Sequence, residues 1–151
     1  MPKNSAAGWP MPALALLVGI AGITVAWVAA AVLSNRPCSW MALVAAIDMA
    51  VLLRLTRAPA GALRTSVAVL ATMLAVLLTH WMIAATQMGV LMGMPPIASS
   101  LRLGPALAWQ LMQLNLGRLD WILIAASLPL AAILAHVPAR REESARDPAA
   151  T

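Results

Sequence analysis

The sequence predicts an all-α polytopic membrane protein, a four-transmembrane-helix bundle with a short amphipathic surface helix between its third and fourth spans. Three observations carry that expectation. Of 151 residues, 62% are apolar and only 10% charged, well away from the soluble norm of about half apolar and about a quarter charged. The polar residues are gathered into short stretches between long apolar runs, where a soluble domain would spread them over its surface. The basic residues also flank those runs unevenly, as topology-setting charges do.

The spans follow in order. Residues 1–8 read as a disordered cytoplasmic tail, with Trp9 at the position of an interfacial anchor, and a single membrane domain covers 9–137. The first span is 12–34, with Pro12 in a first turn where no intrahelical bond is lost. Its length exceeds the roughly 7 to 15 residues of a signal-peptide core, so it is expected to be retained. The second span is 39–55, after the turn Asn35, Arg36 and Pro37. The third is 65–92 and ends at Pro95 and Pro96. Segment 105–116 has Leu107, Leu111 and Leu114 at helical spacing with Gln110 and Gln113 between them, the pattern of a helix lying on the outer surface. The fourth span is 119–137, interrupted by Pro129, and 138–151 is expected to be a disordered cytoplasmic tail.

Four spans place Lys3, Arg54, Arg57, Arg64, Arg140, Arg141 and Arg146 on one side, against Arg36, Arg102 and Arg118 on the other. The positive-inside rule puts the richer side, with both termini, in the cytoplasm of a bacterial inner membrane. The net charge of +5 is therefore a topology signal. Nucleic acid is set aside, because the Trp residues lie in or beside apolar runs and form no basic, aromatic face. Cys38 stands alone, so it supports neither an intrachain disulfide nor a thiolate metal site, and the Asn35, Arg36, Pro37 before it are wrong for lipidation.

Candidate functional residues are polar groups inside spans. Asp48 sits in mid-span, where an acid costs roughly 2.5 to 3.5 kcal/mol on the insertion scale, so it must face a partner, a cavity or a second subunit. Thr65, Thr72, Thr79 and Thr86 recur every seven residues on the third span and fall within about 60° of one another; His80 and Gln87 widen that stripe to about 120°. An Asp48 and His80 pair would shuttle protons, hold a cation, or simply satisfy two buried groups and fix helix register. Met88, Met92 and Met94, with His80, form a candidate soft-metal set, although methionine is equally a core filler. His136 and His80 differ too much in depth to hold one haem.

Small residues at four-residue spacing mark where helix backbones can approach closely: Gly22, Ala26 and Ala30; Ala42, Ala46 and Ala50; Ala71, Ala75 and Thr79; Gly89 and Gly93; Ser127, Ala131 and Ala135. Nucleophile triads, phosphate loops and zinc-protease motifs are absent from the sequence, so it offers no soluble-type active site, its reading leans away from an enzyme, and no cofactor is predicted. The function expected is that of an accessory subunit packing with itself or with a larger membrane partner in the lipid bilayer. The alternatives are a small oligomeric proton or ion transporter using Asp48 and the polar stripe, and a metal or redox protein using His80 and the methionines.

Overall fold

The computed structural model describes residues 10–58 and 61–136, so the two expected tails lie outside the described residues. The chain forms six helices: α1 (Pro10–Ser34), α2 (Met41–Leu55), α3 (Ala62–Met92), α4 (Pro96–Arg102), α5 (Pro105–Asn115) and α6 (Arg118–His136). No strand occurs among the described residues. Three helices, α1, α3 and α6, are long and apolar enough to cross a membrane. At 15 residues, α2 falls short of the roughly 20 that a perpendicular span requires.

Helix α2 packs against α1, α3 and α6, and α3 also touches α1, α4 and α5. Outside these contacts the long helices present large apolar side chains. Leu14, Leu17, Val18 and Val25 on α1 and Ile122 and Ile133 on α6 are all more than 60% exposed, which suits a lipid surround and would be costly in water.

The register between helices follows from two cross-links. Thr79 Oγ1 donates to Thr24 Oγ1 at 3.4 Å, which levels α1 with α3. Leu16 and Ile20 pack lower on that pair with Ala68, Ala71 and Ala75, and Ala31 packs higher with Ile83, so the two helices run parallel. At the opposite end, Arg64 Nε and Nη2 reach Ala135 O at 2.9 and 2.5 Å, which sets α6 antiparallel to α3. Helix α6 therefore matches only the first nineteen or so residues of α3, about 28 Å of rise, and the rest of α3 overhangs by roughly 18 Å.

Two further helices cover the overhang. Gly93 at φ +65° turns the chain out of α3 in a left-handed cap, with Met94 N–H returning to Gly89 O at 2.9 Å, the longer bond of a Schellman motif. Pro96 then opens α4 at a first-turn position where its missing N–H costs nothing. This helix was not expected, since Pro95 and Pro96 read as terminators only. Helix α5 agrees in position with the expected amphipathic segment, but its apolar residues divide between two faces. Ala108 and Leu111, with Leu103 from the end of α4, pack with Ala84, Ala85 and Met88 of α3, while Leu107 and Leu114 point outward. Trp109 stacks edge-on with Trp121 of α6 at 6.0 Å, a pairing of amphipathic rings typical of the membrane interface.

The small-residue rows divide as well. Ala42, Ala46 and Ala50 are buried, as are Ser127, Ala131 and Ala135. Gly22 and Ala26 are exposed, and nothing lies within 4 Å of a side chain placed at Gly22. The close approach on α1 is instead at Gly19, where an added Cβ would stand 2.2 Å from Leu52 Cδ1 and 3.2 Å from Met49 Cε. Gly89 and Gly93 likewise serve the turn: an added Cβ at Gly89 would meet Met94 O at 2.8 Å. Gly89→Ala is expected to destabilise the protein by about 1 to 3 kcal/mol, since the obstacle is backbone and cannot rotate away. Gly22→Ala should be nearly silent in the same detergent melt.

Candidate functional site

The sequence-predicted polar residues do not converge on one point. Asp48 is partly exposed at the centre of α2, and its Oδ2 lies 3.6 Å from the position a Gly19 side chain would take. It therefore faces α1 and the outside, not α3. Gly19 is five residues below Thr24, and Thr24 is level with Thr79, so Asp48 sits about 9 Å deeper than His80. The Asp48 and His80 pair is not formed. Asp120 instead turns to the backbone, its Oδ2 accepting Gly117 N–H at 2.8 Å, half of a capping box at the start of α6.

The threonine stripe faces the interior, and its neighbour there is α1. Thr72 and Thr79 are fully buried; Thr72 bonds Ala68 O at 2.8 Å and Thr79 meets Thr24. Farther out, Thr86 bonds Met82 O at 2.8 Å, and Gln87 is exposed. The soft-metal candidates are dispersed. Met88 fills the apolar cluster beneath α5, Met92 is exposed, and Met94 Sδ accepts from Arg102 Nη1 at 3.9 Å. Among the described residues no group of three His, Cys, Asp or Glu is placed to hold a metal ion.

His80 is the best-defined polar element. Only 6% of it is exposed, and the indole of Trp27 stands edge-on to it with ring centres 5.4 Å apart. Trp27 is itself fully buried and donates Nε1–H to Pro37 O at 2.9 Å, tying the α1–α2 turn down onto the ring pair. His80 Nδ1 lies 2.8 Å from Val76 O. A carbonyl only accepts, so Nδ1 carries the hydrogen and Nε2 of the neutral ring is left as an acceptor. That Nε2 is buried with no hydrogen-bond partner among the described residues.

Above His80 the overhang of α3, the end of α1 and the end of α5 border two adjoining spaces. The outer one is an open cavity of about 370 Å³. Val32, Ile83 and Val90 form its apolar side, and Arg36, Gln87 and Asn115 its polar side. The inner one is a recess of about 10 Å³ lined by His80 and Leu111, and it shares Pro37, Ile83, Gln87 and Asn115 with the first. Comparison with protein-family models, curated proteins and solved structures gives no match.

Sequence reasoning missed two features of this geometry. Arg64 is 7% exposed and, with Arg54 donating to Leu134 O, caps the last carbonyls of α6; both had been assigned to topology alone. Trp27 and Thr24 carried no signal, since single residues on an apolar helix have no period to read.

Proposed function

We propose that the chain is a small integral subunit of a bacterial inner-membrane complex. In this reading α1, α2, α3 and α6 all cross the bilayer, both termini lie in the cytoplasm, and the chain works by packing against a partner through the outward face of α2. Asp48 carries the reading. Its carboxyl has no hydrogen bond or ion pair among the described residues, and it shares its face with Val44, Ile47 and Val51, all of them exposed. A carboxyl in that position costs several kcal/mol unless a neighbouring chain supplies a donor. The partner face is therefore an apolar helix with a basic, amide or hydroxyl side chain at mid-membrane depth.

Topology supports the reading. Arg54, Arg57 and Arg64 stand at one end of the packed helices, and Arg36, Arg102 and Arg118 at the other. A 15-residue α2 spans about 22 Å, which local thinning and the reach of Arg54 at its end bring within range of a bilayer. Transport within one chain has less support: below His80, Met49, Leu53, Ala68 and Ala75 close the interior.

The test is the native mass of the full chain extracted in mild detergent, wild type beside Asp48→Asn. The expected result is an oligomer or hetero-complex that the variant weakens at least tenfold, about 1.4 kcal/mol at 25 °C. The substitution keeps the side-chain shape, so folding is preserved. A lone chain in both samples would overturn the proposal.

A further inference from the structure

From the outer cavity we infer a second property, which does not use the α2 face but takes its leaflet from the topology proposed above: it is a binding site for an anionic, hydroxyl-bearing glycerophospholipid of the outer leaflet. Three features of the site select that chemistry. Arg36 at the mouth is exposed and its side chain makes no hydrogen bond or ion pair among the described residues, so its guanidinium is available to a phosphate, which it matches with paired N–H donors. Val32, Val90 and the neighbouring Leu91 are more than half exposed and line the open side of the same space, giving an acyl chain a continuous path from the site into the bilayer. At the inner end, His80 requires a donor: its Nε2 is a buried acceptor without a partner among the described residues, and the recess that His80 lines, about 10 Å³, admits at most a single oxygen atom. A headgroup hydroxyl satisfies that acceptor, whereas a choline methyl group does not.

Depth agrees with the chemistry. The cavity begins where α6 and α2 end, beside the overhang of α3, and Trp40, Trp109 and Trp121 are exposed in the segments at that end. Exposed indoles of this kind settle at the headgroup level. At about 370 Å³ the space is too small for a whole lipid but ample for a phosphoglycerol head and the first part of one chain.

The experiment uses the full-length protein in detergent, stripped of lipid and offered phosphatidylglycerol, phosphatidic acid or phosphatidylcholine of the same acyl chains, with retained lipid read by native mass spectrometry. Phosphatidylglycerol should be retained at least tenfold over phosphatidylcholine and severalfold over phosphatidic acid, which lacks the headgroup hydroxyls. Arg36→Gln should abolish the first preference, while Arg118→Gln, which removes another outer charge away from the cavity, should leave it intact. Equal retention of the three lipids, or equal loss in the two arginine variants, would overturn the site. Displacement of phosphatidylglycerol by millimolar inorganic phosphate alone would show a simple anion site and overturn the lipid assignment. Arg36 and Arg118 are both exposed, so neither substitution endangers the fold.

Discussion

Arg64→Ala is expected to lower the stability of the detergent-solubilised protein by about 1.5 to 3 kcal/mol, the range for hydrogen bonds made by a charged donor. Arg64 lies in the first turn of α3, where a positive charge opposes that helix's own dipole. It is tolerated because Nε and Nη2 both serve Ala135 O at the last turn of α6, the end of a helix that favours cations. Arg64→Lys keeps the charge but not the fork, so it should fall between wild type and alanine. Arg57→Gln, on an exposed neighbour, should change stability by less than about 0.5 kcal/mol. Thermal loss of helix signal across the four proteins checks the ordering, and an alanine variant as stable as wild type would show that the clamp contributes nothing.

The second large effect is expected at Gly19→Leu, which should cost about 1 to 3 kcal/mol and separate α1 from α2. Alanine at this site asks only that the end of Leu52 turn aside, because the nearest atom is Leu52 Cδ1. Leucine adds three more carbons, and these meet Met49, which has no exposed surface to move into. Combining Gly19→Leu with Leu52→Ala should recover much of the loss, since the two sites share one space and their effects are not additive. A double variant no better than the single one would place the close contact elsewhere.

These examples also show what a single sequence reveals. Hydropathy and the prolines gave the limits of α1, α3, α5 and α6 to within a few residues, because length and composition of an apolar run are dictated by the solvent around it. Helix α4 was missed although Pro96 at a first-turn position, followed by Ile97 and Leu101 one turn apart, is a legible start signal. Partners between helices were far less accessible. A helical wheel gives the face on which Asp48 or Thr79 lies, but not which helix is packed there. Asp48 thus turned out to lie against Gly19, and Thr79 against Thr24. The row through Gly22 failed for a related reason: in an alanine-rich chain small residues fall at four-residue spacing on several faces, and only contact distances single out Gly19. His80 was identified as a polar residue in a span, yet its importance rests on Trp27, Pro37 and a recess formed by α5, all distant in sequence.

The bond from Arg64 to Ala135 links the beginning of the third helix to the last turn of the sixth, 71 residues later. During synthesis, α1, α2 and α3 are complete before α6 leaves the ribosome, so a guanidinium destined for burial must wait at the membrane surface. Its acceptor arrives only with α6, and only then can it leave water. The later helix thus fastens the earlier ones, and the third helix gains its full anchorage only once the sixth has packed beside it.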